Sequence, residues 1–155
     1  MVNQHARREF AREIRNYLSG RISNYELEGN IPWAGSDPAI DEIFNNGVYS
    51  IYSDRKEHYH SGDYKLNKDG TKVIAQWILF LYSGSEYRWP SYRGNFLQRF
   101  VQILTLSFPK EFSFGSEKFR AAGDFHVWPF ISRSEYEQAL ANPPFFNLRR
   151  AVQER

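Results

Sequence analysis

Residues 73–82 read Val-Ile-Ala-Gln-Trp-Ile-Leu-Phe-Leu-Tyr, apolar nearly all round and interrupted only by Gln76. The run is about half as long as the roughly 20 residues a membrane span requires. The rest of the chain therefore has to cover it. A helix over 69–82 would be a central, buried element. A buried strand is the competing assignment, because short apolar runs fit both. Gly84 and Pro90 end the segment in either case.

The flanking sequence supplies helices to do the covering. Ala6, Phe10, Ile14, Tyr17 and Leu18 make one stripe of a helix over 3–19, with Arg8, Arg12 and Arg15 on another face. Gly20 suits its C-terminal end. A connection through Gly29, Pro32 and Gly35 follows, with Ile31 and Trp33 turned inward. Asp37 and Pro38 predict a helix start, and Asp41 and Glu42 complement its dipole. Ile40, Ile43, Phe44, Val48 and Ile51 carry this helix to about residue 52, although Gly47 weakens it. Residues 54–67 are polar, turn-rich and without a period. Phe96, Leu97, Phe100, Val101, Ile103, Leu104 and Phe108 predict a helix over 95–108, stopped by Pro109. A short strand is expected over 125–130 from its alternating pattern. The last helix begins at Ser132 or Ser134, each followed by Glu three residues on. Asn142-Pro143-Pro144 ends it.

The expected fold is mainly α, about five helices around one core with a small β element. The alternative is α+β, with a sheet from 48–66 and 124–130. At 155 residues the chain suits one domain, 1–155, with 145–155 as a tail. Phe, Tyr and Trp make up 17% of it, far from the composition of a disordered chain. There is no cysteine, so disulfides, thiolate metal sites and cysteine nucleophiles are excluded. The first residues carry charge with no apolar core behind it. No signal peptide and no membrane association are expected, and the expected location is the cytoplasm.

The net charge is only +2, yet its distribution is uneven. Residues 22–54 carry Glu26, Glu28, Asp37, Asp41, Glu42 and Asp54 without a Lys or Arg. Helix capping accounts for Asp37, Asp41 and Glu42. Glu26 and Glu28 are left over, and with Trp33 as an anchor they are the candidate contacts for another protein.

Three further clusters carry candidate chemistry. His58 and His60 share one face if extended, as metal ligands do, against the simpler expectation of two ordinary loop histidines. Tyr87-Arg88-Trp89-Pro90-Ser91-Tyr92-Arg93 interleaves rings with guanidinium groups. Arg88, Trp89 and Arg93 could meet bases and phosphates, and Arg8, Arg12 and Arg15 could extend that surface. The simpler expectation is a Trp anchored on the core and arginines paired with acids. Asp124 and His126 could form an acid–base pair on a strand. No nucleophile elbow or glycine-rich phosphate loop accompanies them.

Tyr87-Arg88-Trp89-Pro90, and Trp128-Pro129-Phe130 followed by Ser132-Arg133-Ser134-Glu135-Tyr136, resemble motifs of uncharacterised bacterial single-domain proteins. The resemblance covers the C-terminal half and implies a bacterial, stand-alone domain, with no site carried over. Each Trp-Pro pair favours an extended Trp backbone, which suits a ring pinned over a core edge. The function expected first is stoichiometric binding of another protein, as an inhibitor, immunity protein or adaptor. Nucleic-acid binding and a small His-based or metal-dependent enzyme are the alternatives. No cofactor is expected.

Overall fold

Ala6, Phe10, Ile14 and Tyr17 line the buried side of the first helix, α1 (Gln4–Leu18). The structure, a computed structural model, describes residues 1–32, 37–52, 55–90 and 121–143. The Asn3 side chain accepts the Ala6 N–H and so satisfies one of the donors a helix start leaves free. Gly20 lies just past the other end with φ +69°, a conformation that strains any residue with a Cβ.

The stretch expected as a plain connection holds a second helix, α2 (Asn24–Gly29). Ser23 and Glu26 close a reciprocal capping box: Ser23 Oγ accepts the Glu26 N–H, and Glu26 Oε2 accepts the Ser23 N–H at 2.7 Å.

Asp37 caps α3 (Pro38–Asn46) by accepting the Ala39 N–H, with Pro38 in the first turn as expected. This helix ends at Gly47 rather than near residue 52. A Cβ on Gly47 would stand 2.7 Å from the Ile43 carbonyl oxygen and 2.9 Å from the Trp77 ring, so only glycine allows this approach. The chain continues as a 3-10 turn, Val48–Ser50, which still buries Val48.

The central apolar run is helical: α4 spans Lys68–Ser83, capped by Asn67. Its one interruption is put to use. Gln76 Nε2 donates to the Trp128 carbonyl at 2.6 Å. The segment 125–130 is not a strand. Asp124 caps a 3-10 turn, Phe125–Val127, and the Trp128–Pro129 bond is cis. Its backbone carbonyls are taken by side chains: Trp128 by Gln76, and Pro129 and Phe130 by the Trp89 indole N–H at 3.0 and 3.1 Å. A ladder partner is therefore not needed there. The last helix, α5 (Arg133–Ala141), starts at the earlier of the two expected caps, Ser132.

Among the described residues there are helices and no strands, so the fold is mainly α and the sheet of the alternative is absent. α1 packs on α4 and α2, and α4 packs on α5. The buried faces of α1 to α4 join one apolar cluster, in which Phe10 meets Phe44 and Phe80 meets Phe130 edge-on, and the partly buried Tyr136 and Ala139 of α5 pack against it. No described helix is long and apolar enough to cross a membrane. The helix expected over 95–108 and the tail 145–155 lie outside the described residues.

One ion pair runs through this core. Arg7 Nε and Nη2 donate to the two carboxylate oxygens of Asp37 at 2.7 and 2.9 Å, both side chains being fully buried. Arg7 Nη1 donates to the Ser85 carbonyl at 2.6 Å, and its guanidinium carbon lies 5.3 Å from the centre of the Phe80 ring. Asp37 also accepts the Asn3 N–H at 2.8 Å. Three chain segments are thus tied to one bidentate pair, the geometry in which a buried pair is favourable.

Candidate protein-binding surface

The polar stretch 55–66 has no period of its own, and buried contacts hold it to α1 and α2. Asn24 donates its backbone N–H to the His58 carbonyl at 3.0 Å, and its side-chain oxygen accepts the His58 N–H at 2.7 Å. Asn24 Nδ2 donates to the Lys56 carbonyl at 3.2 Å. Ser23 Oγ donates to Glu57 Oε1 at 2.7 Å, so the capping box of α2 also grips the segment.

Behind this link lies an aromatic cluster. The Tyr17 ring meets Tyr52, His58 and His60 at centroid distances of 6.1, 6.5 and 5.6 Å. His58 Nδ1 lies 2.9 Å from the Lys56 carbonyl, which can only accept, so this nitrogen carries the proton. Its Nε2 then accepts from the Tyr17 hydroxyl at 3.3 Å. Burial pushes the Tyr17 hydroxyl up to about 12, keeping it protonated.

Three tyrosines stand on the outside of this knot. Tyr25 follows Asn24, Tyr59 follows His58, and the Tyr64 ring stacks on the His58 ring at 3.7 Å. Their exposures are 43, 50 and 39%, whereas Tyr17, Tyr52 and Tyr87 are buried. Large rings on a pre-ordered support lose little entropy when a partner covers them. Glu26, Glu57 and Asp63 lie in the same two segments, as do Lys56 and Lys65, and all five are exposed.

No protein family matches this chain. No curated protein and no solved structure matches it either.

The residues singled out from the sequence fall in different places. Glu26 has an internal role as the capping-box carboxylate, and Glu28 is half-buried on α2 beside it. Trp33 lies outside the described residues, as does Arg93. His58 and His60 do not present free nitrogens to a metal. His60 Nδ1 lies 2.9 Å from the Leu18 carbonyl, and its Nε2 accepts the Leu66 N–H at 3.0 Å. The described residues contain no group of three or more metal-ligating side chains.

Asp124 and His126 are not paired through the ring. The carboxylate accepts the His126 backbone N–H at 3.1 Å and faces Arg133 Nε at 3.5 Å, while the His126 side chain is exposed. Arg8, Arg12 and Arg15 share the outer face of α1, with Arg12 paired to Glu13 and Glu9. Arg88 pairs with Glu135 rather than with an acid of 22–54. Trp89 is 4% exposed and its indole N–H is committed to backbone carbonyls, so it has no face to offer a base. The two Trp-Pro motifs interlock: Trp89 holds the second motif's carbonyls, and Trp128 Nε1 donates to the Tyr87 hydroxyl at 3.3 Å.

The sequence marks Tyr25, with Trp33 and Phe44, as an aromatic neighbour of the acidic stretch, but it does not mark Tyr59 and Tyr64 as partner contacts. The Ser23-x-x-Glu26 box was the available signal for α2 and hence for the position of Tyr25. Tyr17 stands on the apolar stripe of the first helix, whereas no periodic pattern assigns Tyr25, Tyr59 or Tyr64 to core or surface.

Proposed function

We propose that the chain binds another protein through Tyr25, Tyr59 and Tyr64, with Glu26 and Glu57 on the rim. The observation that carries this is the placement of three exposed rings on one hydrogen-bonded support, the Asn24–His58 link. Tyrosine is favoured at interfaces because its ring buries apolar area while its hydroxyl keeps a hydrogen bond. Binding at fixed stoichiometry, as by an inhibitor, immunity protein or adaptor, fits a small rigid surface of this kind.

The nucleic-acid alternative keeps its arginines on α1 but loses Trp89 to the core. Capture from a lysate of the native cells, with and without nuclease, separates the two. One protein retained at a constant ratio after nuclease treatment supports the proposal. Recovery of nucleic acid alone, lost on nuclease treatment and weakened steeply by salt, overturns it.

A further inference from the structure

His58 and His60 lie two residues apart, in contact with the same tyrosine, yet their hydrogen bonds respond differently to a proton. In His58, Nδ1–H faces the Lys56 carbonyl and Nε2 faces the Tyr17 hydroxyl. A hydroxyl can turn and accept, so a protonated His58 keeps both bonds. His60 has no such freedom. Its Nδ1 faces the Leu18 carbonyl, which only accepts, and its Nε2 faces the Leu66 backbone N–H, which only donates. The ring is locked as the neutral Nδ1–H tautomer. A proton added to Nε2 takes the lone pair that the Leu66 N–H uses and sets one N–H against another.

Among the described residues no carboxylate pairs with that extra charge. From α1, His60 faces the Tyr17 ring, which is uncharged. From its own segment it faces Lys65, whose positive charge opposes a second one. None of the ion pairs among the described residues includes His60. Burial, despite the Leu18 hydrogen bond, holds the ring below its ordinary value of 6.5.

We propose that His60 is an acid-operated latch: protonation of Nε2 breaks the bond to Leu66 and frees the turn 61–66 from His60, which stays bound to the Leu18 carbonyl of α1 through Nδ1–H. The latch is local. α2 and its capping box are held by Asn24, Ser23 and Glu57, none of which involves His60. Tyr64 rides on the released segment, so its stack on His58 loosens with it. The consequence for partner binding rests on the proposed function above. The latch itself does not, and its test reads no partner.

Amide exchange of the full-length chain, followed by NMR from pH 7.5 to 4.5 and corrected for the intrinsic rate, tests it. Opening at Leu66 is expected to rise roughly tenfold per pH unit below 6.5 and to level off once the closed state is itself protonated. The His60 ring nitrogens should report the Nδ1–H tautomer at neutral pH. His60→Gln, which keeps a donor and an acceptor but cannot titrate, should make opening at Leu66 independent of pH. His58→Gln should leave the pH dependence in place. Should His60→Gln fail to fold, the wild-type tautomer and the Leu66 profile decide by themselves. The proposal is overturned if His60 shows the other tautomer, if Leu66 protection is flat across the His60 titration, or if the acid opening persists in His60→Gln.

Discussion

Asn24 and His58 are joined twice, backbone N–H to carbonyl at 3.0 Å and side-chain oxygen to backbone N–H at 2.7 Å. This closed pair lets a segment whose only regular element is the 3-10 turn Gly62–Tyr64 carry rings in a set position. Asn24 is fully buried, so Asn24→Ala leaves the His58 N–H buried without its acceptor. The expected loss is about 1–3 kcal/mol in urea unfolding. Amide exchange over 56–66 should quicken more than exchange within α4. A variant as stable as wild type would show that the link does not hold the segment.

The Arg7–Asp37 pair should matter more. Removing one partner strands a buried charge, so Arg7→Met should cost about 3–5 kcal/mol in denaturant unfolding. Its pH dependence follows from Asp37. Burial alone raises that carboxyl, but the Arg7 hydrogen bonds, the Asn3 and Ala39 N–H groups and the Arg7 charge together bring it below 3.8. The unfolded chain therefore takes up the proton first. The pair's contribution is complete above the ordinary value of 3.8 and fades as the pH falls below it. Acid unfolding profiles of wild type and Asp37→Asn should differ above that value and converge below it.

Gly47 tests the contact between α3 and α4. Gly47 has a negative φ of −116°, so Gly47→Ala meets no positive-φ penalty, yet its Cβ would stand 2.9 Å from the Trp77 ring. The clash should win, with a loss of about 1–3 kcal/mol and altered tryptophan fluorescence. Unchanged stability would mean the two elements stand farther apart.

The interlocked Trp-Pro motifs make a similar prediction. Trp89→Phe removes the indole N–H shared by the Pro129 and Phe130 carbonyls. Leaving these buried acceptors unpaired should cost about 1–3 kcal/mol by thermal or denaturant unfolding. A neutral substitution would assign Trp89 to packing alone.

Much of this architecture was legible because caps and stripes coincide. Asn3 and Asp37 with Pro38 each start a helix whose apolar face follows in register, and Ser132 opens α5 by its cap alone. The failures have physical causes. α2 spans only Asn24–Gly29, too short for a stripe, and its capping box was its only mark. Past Gly47 the apolar pattern runs on through Val48 and Ile51 although the backbone has left the α conformation, because a 3-10 turn can bury the same side chains. Alternation over 125–130 imitated a strand, while Gln76 and Trp89, distant in sequence, supply the bonds that replace a ladder. The candidate surface was the least legible part. Tyr17 falls on the apolar stripe of α1, but no stripe surrounds Tyr25, Tyr59 or Tyr64, and only tertiary contacts leave these three exposed.

The most direct test of the binding surface compares retention of the captured protein by wild type, by Tyr25→Ser/Tyr59→Ser and by the triple variant that adds Tyr64→Ser. Leu140→Ser, on the exposed face of α5, serves as the control. Thermal unfolding would first establish that all four chains fold. Loss of one interface hot spot weakens binding by at least about 2 kcal/mol, roughly thirtyfold. The double variant is expected to fall by that much, the triple variant further, and Leu140→Ser to match wild type. Folded double and triple variants that bind as tightly as wild type would contradict the account and remove the tyrosine surface as the binding site.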